Sequence, residues 1–79
     1  MYQTKTQKAL SSGEITITDI KAIKANHPRL YAVAMCRIGP SYGTPWSLES
    51  LAMNLDVSKE RVRQLEAKAI ALIKLRKGH

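Results

Sequence analysis

The apolar and polar positions from Ser47 to Leu65 follow the pattern of two short helices joined by a tight turn. A helical pattern begins at Leu48, a turn follows over residues 54–57, and a second helical pattern begins at Ser58. The apolar positions predicted to face one another across the turn are Leu51, Leu55, Val57, Val62 and Leu65. This spacing predicts a helix-turn-helix.

Two small residues support the same prediction, and Asp56 departs from the usual pattern of the turn. Ala52 stands where the second helix would cross the first, and a larger side chain there would push the two helices apart. Ser58 is a good N-cap, since its hydroxyl accepts a hydrogen bond from a backbone N–H of the next turn. Asp56 replaces the glycine that is common in such turns, but aspartate tolerates the left-handed conformation.

The second helix is expected to be long and to have two distinct faces. Its apolar stripe consists of Val62, Leu65, Ala69, Leu72 and Ile73, which predicts a buried side. The face at its N-terminal end carries Lys59, Glu60, Arg63 and Gln64, with Arg61 to one side. These side chains include donors and acceptors that match base edges in the major groove, and Arg61 is better placed for a phosphate. The alternative is an amphipathic helix packed on a partner protein.

The rest of the chain predicts a small all-α domain of four to five helices, ending in the helix-turn-helix and its long recognition helix. We expect one helix from Asp19 to Ala25, capped by Thr18, and another from Pro28 to Ile38, ended by Gly39 and Pro40. Residues 1–13 form an N-terminal segment, helical or disordered, and residues 14–79 form the domain. Trp46 is expected to anchor the preceding loop as a hydrophobic staple.

Charge adds a preference for an anionic partner. Thirteen Lys and Arg against six Asp and Glu give a net charge of +7, and the pI is near 9.9. Such a balance favours phosphate binding and salt-sensitive association. The last basic residues, Lys74, Arg76 and Lys77, lie too far along the helix to reach the same bases, so phosphates or a protein surface are their expected targets.

Other function classes find no support in the residue inventory. Two histidines, one cysteine and scattered carboxylates give no metal-ligand spacing, and no glycine-rich phosphate loop is present. We therefore expect no enzyme activity, no cofactor and no metal, and Cys36 is expected to act as a small apolar residue. The polar N-terminus lacks a signal peptide or membrane span, which predicts a cytoplasmic protein with no membrane contact.

The run from Ser58 to Ala69 also resembles a known family signature, the recognition helix of the fourth conserved region of sigma-70 family RNA polymerase sigma factors. The segment Leu48 to Ala52 is similar to the first helix of that family's motif. Arg37-Ile38-Gly39 resembles the end of the helix before it. The resemblance covers Arg29 to Lys77, and Lys59 stands where the family has arginine.

The resemblance implies that the domain binds double-stranded DNA at the promoter's minus-35 hexamer. Lys59, Glu60, Arg63 and Gln64 would then read bases, with Ser58, Arg61 and Lys68 at phosphates. It also implies docking of RNA polymerase, through the β flap, onto an apolar pocket. Core packing is an equal alternative for the pocket residues, which are Ile20, Ile23, Leu30, Val33, Ala34, Ile38, Leu48 and Leu51.

Two functions remain open at this point. One is a sequence-specific transcription regulator that reads a minus-35-like element while touching polymerase. The other is a polymerase-binding protein that docks on the β flap and displaces or mimics host sigma region 4, with little DNA contact. A response-regulator output domain shares the helix order but acts as a dimer, whereas we expect a monomer or weak dimer here.

Overall fold

The computed structural model describes residues 4–39 and 44–77, which form five helices and no strand. The helices are α1 (Lys5–Ser11), α2 (Ile17–Lys21), α3 (Pro28–Ile38), α4 (Leu48–Leu55) and α5 (Lys59–Arg76). The all-α prediction is confirmed. Helix α5 packs against α1, α3 and α4, so it is the central element of the fold.

Helices α3 and α4 begin and end close to where the sequence predicts, and α5 begins there. Pro28 occupies the first turn of α3, where its missing N–H has no helical partner to lose. Ser47 caps α4 by accepting a hydrogen bond from the Ser50 N–H at 3.0 Å. Ser58 caps α5 in the same way.

The two N-terminal helices were harder to place from the sequence. Helix α2 begins at Ile17 rather than Asp19, because Thr16, not Thr18, is its N-cap. It ends at Lys21 rather than at the predicted Ala25. Thr16 and Asp19 form a capping box, in which each side chain accepts from the other residue's backbone N–H at 3.2 and 2.8 Å. The N-terminal segment contains one helix, α1, which is capped by Thr4. Residues 1–3 of that segment lie outside the described residues.

The core consists of two apolar clusters. The larger joins α1, α2, α3 and α5, and its buried members are Ala9, Ile15, Ile20, Ile23, Leu30, Val33, Ala34, Ile38, Leu65, Ala69 and Ile73. The smaller joins α4 and α5 through Leu51, Ala52 and Val62, with Val57 packed against them. The five apolar positions predicted to face one another are therefore divided, because Leu55 and Leu65 pack with the larger cluster.

The turn between α4 and α5 is a Schellman motif. The Val57 N–H donates to the Ala52 carbonyl at 3.0 Å, and the Asp56 N–H donates to the Met53 carbonyl at 3.3 Å. Asp56 takes the left-handed conformation, with φ 57° and ψ 48°. Ala52 and Val57 belong to the same apolar cluster, which fixes the angle at which the chain enters α5.

Candidate nucleic-acid interface

The N-terminal end of α5 is the exposed end of the helix-turn-helix. The Ser58 hydroxyl accepts a hydrogen bond from the Arg61 N–H at 3.1 Å, and Ser58 itself is exposed. A helix N-terminus carries partial positive charge, which attracts phosphate oxygens. The capping contact uses the hydroxyl only as an acceptor, so its O–H remains able to donate to an anion.

The side chains predicted to read bases lie together on one exposed face of α5, which we call the reading face after that prediction. Lys59, Glu60, Arg63 and Gln64 are all exposed in the first two turns of α5. Val62, between them in sequence, is fully buried against α4. The alternation follows from the helical period of 3.6 residues, which separates the reading face from the packed face.

Glu60 and Arg63 form a two-point ion pair on this face. Arg63 Nε donates to Glu60 Oε2 at 3.0 Å, and Arg63 Nη2 donates to Glu60 Oε1 at 2.6 Å. The side chains remain 58 % and 56 % exposed. The hydrogen bonds from Arg63 lower the pKa of the Glu60 carboxyl, and the same pair raises the pKa of the Arg63 guanidinium. Sequence reasoning missed the pair, although its i,i+3 spacing was a signal for it.

The residues predicted to contact phosphates flank the reading face. Ser58, Arg61 and Lys68 are all exposed. Arg61 and Lys68 are seven residues apart on one helix, so they share a side of α5 and are separated by about 10 Å along its axis. Two exposed cations therefore lie along one side of α5.

Behind the reading face, a buried ion pair fixes α5 against α3. Arg37 Nε donates to Glu66 Oε1 at 3.0 Å, and the two side chains are only 4 % and 2 % exposed. Thr6 on α1 donates to Glu66 Oε2 through its hydroxyl at 2.9 Å and through its backbone N–H at 3.2 Å. Arg37 Nη1 also donates to the Trp46 carbonyl at 2.6 Å. Buried charges need such complete partnering, and no buried side-chain N or O atom of the described residues lacks a partner.

Trp46 connects this network to α4, through its main chain. Its N–H donates to the Cys36 carbonyl at 2.9 Å, and its carbonyl accepts from Arg37. Trp46 as a whole is 36 % exposed. The main chain of Trp46 thus attaches the segment before α4 to α3, through one backbone bond and one bond from the Arg37 side chain. Residues 40–43 of the predicted loop lie outside the described residues.

The far end of α5 is tied to the N-terminal part of the chain. Lys74 pairs with Glu14, and Lys77 Nζ lies 3.1 Å from Asp19 Oδ2 and donates to the Glu14 carbonyl at 3.0 Å. Lys74 and Lys77 therefore have partners within the protein, which the sequence analysis did not foresee. They are structural contacts about 20–27 Å along the helix from the start of the reading face.

The apolar residues predicted as a polymerase pocket lie in the core. Ile20, Ile23, Leu30, Val33 and Ile38 are between 0 and 7 % exposed and pack on one another in the larger cluster. Ala34 and Leu51 are also buried, and Leu48 is partly buried. Their observed contacts are packing contacts, because a small helical domain needs most of its large apolar side chains for its core.

The described residues show no metal-ligand cluster and no activated thiol. They contain no group of three or more His, Cys, Asp or Glu placed to hold a metal ion. Cys36 is half-buried against the smaller cluster, and burial raises the pKa of its thiol, which disfavours the reactive thiolate. His27 stands at the start of α3 without a capping hydrogen bond. Within the described ranges, none of the helices is both long enough and apolar enough to cross a bilayer.

Comparison with known families agrees with this geometry. Residues 35–77 match the family described as Sigma-70, region 4, which is more than half of the chain and contains the whole helix-turn-helix. The chain belongs to the sigma-70 region 4 family. Among curated proteins and solved structures, none matches it significantly.

Family membership confirms the resemblance and defines its extent. Region 4 is a DNA-binding, helix-turn-helix domain of transcription regulation and not an enzyme family. The match begins at Met35, six residues later than the resemblance seen in the sequence, so α1, α2 and most of α3 precede it. The matched part contains both Arg37 and Glu66, whereas Thr4 and Thr6 are outside it.

Proposed function

We propose that this region 4 domain is a sequence-specific transcription regulator that reads a minus-35-like promoter element in the major groove. The observation that carries the proposal is the exposed face of α5, where Lys59, Glu60, Arg63 and Gln64 stand clear of the core on a rigidly held helix. Lys59 and Arg63 match guanine O6 and N7, and Gln64 matches the adenine edge.

The phosphate contacts proposed here position that helix. Ser58 at the α5 N-terminus, with Arg61 and Lys68 along one side, would grip the DNA backbone without reading sequence. Lys59 in place of the family's arginine is a flexible point charge rather than a planar fork, so we expect a looser base preference at that position.

Fluorescence anisotropy tests the proposal directly. A labelled duplex carrying a consensus minus-35 hexamer is compared with a scrambled duplex near physiological salt, where non-specific contacts are weakened. We expect a preference of at least tenfold, equivalent to ~1.4 kcal/mol. Equal affinity for the two duplexes would contradict base reading of the hexamer.

RNA polymerase is the second partner that we propose, and family membership is its support. Because Ile20, Ile23, Leu30, Val33 and Ile38 are buried in the core, this proposal places the contact on exposed side chains around the core. Binding to an immobilised β flap fragment, measured with and without the hexamer duplex, tests it. No binding in either condition would contradict polymerase contact at the flap.

A further inference from the structure

The Glu60–Arg63 pair occupies only one edge of the arginine side chain on the reading face. Both Glu60 oxygens accept from one side of the Arg63 guanidinium, through Nε and Nη2. A guanidinium has five N–H donors in a fixed plane, so this contact leaves the end-on edge formed by Nη1 and the second Nη2 hydrogen open. That edge is also a two-donor fork, and it matches the O6 and N7 acceptors of guanine.

We propose that Glu60 is a positioning residue, which fixes the Arg63 fork for guanine before DNA arrives, rather than an independent reader of a base. This inference rests on the proposed function and assigns the roles within its site. Glu60 and Arg63 lie one helical turn apart, so the pair needs no movement of the helix backbone. A long side chain held in its bound orientation loses less conformational freedom on binding.

The neighbouring side chains leave this pair undisturbed. Val62 points into the smaller cluster, and Leu65 and Glu66 are buried on the packed side of α5. Glu66 is engaged with Arg37 and Thr6, so it does not compete for Arg63. Among the described residues, the hydrogen bonds of the Arg63 side chain go to Glu60 alone.

A double-mutant cycle tests the inference, with Glu60→Gln, Arg63→Ala and the combined variant. The readout is the ratio of affinities for hexamer and scrambled duplexes, because a change in net charge alters both affinities and cancels in the ratio. Glu49→Gln is the matched control. Glu49 holds the same position in the first turn of α4 as Glu60 holds in α5, and the substitution removes the same charge. Circular dichroism checks that all variants keep the same helix content.

We expect Arg63→Ala to lower the ratio at least about fivefold, the lower bound for a bidentate arginine–guanine pair. Glu60→Gln should lower it about three- to tenfold in the wild-type background, as expected when one long side chain regains its rotamer freedom. In the Arg63→Ala background the same change should have no effect. Glu49→Gln should leave the ratio unchanged.

Three results would overturn the inference. An equal loss from Glu60→Gln in both backgrounds would mean that Glu60 contacts DNA by itself. An unchanged or increased ratio for Glu60→Gln in the wild-type background would mean that the pair does not assist Arg63. A wild-type protein without any hexamer preference would overturn the proposed function, whereas the first two results leave that function intact.

Discussion

Asp56 is the residue on which the angle between α4 and α5 most directly depends. It is the one non-glycine residue with positive φ in the described part of the chain, and its left-handed conformation lets the Asp56 and Val57 N–H groups return to the last turn of α4. Aspartate adopts this conformation more readily than most residues, but with more strain than glycine. Packing around Ala52 and Val57 therefore holds the turn in place, although the backbone of Asp56 is strained.

Replacing Asp56 with glycine should stabilise the domain. We expect Asp56→Gly to raise the free energy of unfolding by about 0.5–1 kcal/mol, because glycine occupies the left-handed region without a Cβ penalty. Urea denaturation followed by circular dichroism measures the change. Asp56→Ala is the control and should destabilise the domain, and a loss of stability in the glycine variant would show that the Asp56 side chain itself holds the turn.

Sequence reasoning succeeds at this scale where a residue's role depends on its own chain neighbourhood. The Ser58 cap and the left-handed Asp56 follow from local backbone chemistry, and both are observed. The Glu60–Arg63 pair was missed because an exposed arginine has several acceptors within reach of its flexible side chain. Residue types alone do not select one of them.

At the scale of elements, α1 contributes to the same core as the helix-turn-helix. Thr4 and Thr6 are fully buried, and their hydroxyls donate to the Arg37 carbonyl and to Glu66. The poor helical pattern of this segment did not predict such burial. A threonine is expected at the surface unless the hydrogen-bond partner of its hydroxyl is known. Glu66 is sixty positions away in the chain, so the contact appears only in the folded structure.

Thr6→Val tests the contribution of α1 to the buried ion pair. The change keeps the side-chain shape but removes the hydrogen bond to the Glu66 carboxylate, and we expect a loss of about 1.5–3 kcal/mol in the free energy of unfolding. Thr18→Val, on the exposed side of α2, is the matched control and should change stability little. Equal small effects from both variants would contradict a stabilising role of Thr6.

The two ends of α5 should differ in their contribution to DNA binding. Arg61→Ala should weaken binding to hexamer and scrambled duplexes alike and reduce the salt slope by about one, as expected for a lost phosphate contact. Lys77→Ala should leave both affinities unchanged, since Lys77 is paired with Asp19 far from the reading face. Anisotropy titrations at several salt concentrations measure both, and a similar loss from Lys77→Ala would extend the interface to the far end of the helix.

At the scale of the whole molecule, several of the basic side chains form ion pairs with carboxylates of the same chain. Arg37, Arg63, Lys74 and Lys77 all have carboxylate partners, although the sequence carries a net charge of +7. Composition predicted an anionic partner but not which cations remain available to it. That division depends on tertiary contacts, such as those that bring Glu14 and Asp19 to the end of α5.

These pairs should make stability fall at acid pH. The hydrogen bond from Lys74 lowers the pKa of Glu14, and the hydrogen bond from Lys77 lowers that of Asp19. Because the folded-state pKa values are depressed, the stabilisation is complete above the ordinary carboxyl values of about 4 and is lost as pH falls through the lowered values.

Thermal unfolding between pH 7 and pH 2.5 measures this dependence. A Glu14→Gln, Asp19→Asn double variant should lose less stability over the acid range than the wild-type protein. Glu49→Gln, which removes a carboxylate without an ion pair in the described structure, should retain the wild-type pH dependence. Identical acid profiles for all three proteins would contradict a contribution from the two pairs.

The central claim is that the N-terminal turns of α5 face the bases of a minus-35-like element, and amide chemical-shift mapping tests it most directly. ¹⁵N-labelled protein is titrated with the hexamer duplex and, separately, with the scrambled duplex. We predict that the hexamer shifts the amides of residues 58–64 most strongly, with little change at residues 74–77, and that the scrambled duplex gives smaller shifts. Shifts centred outside α5, or equal shifts at residues 58–64 with both duplexes, would contradict base reading by this helix.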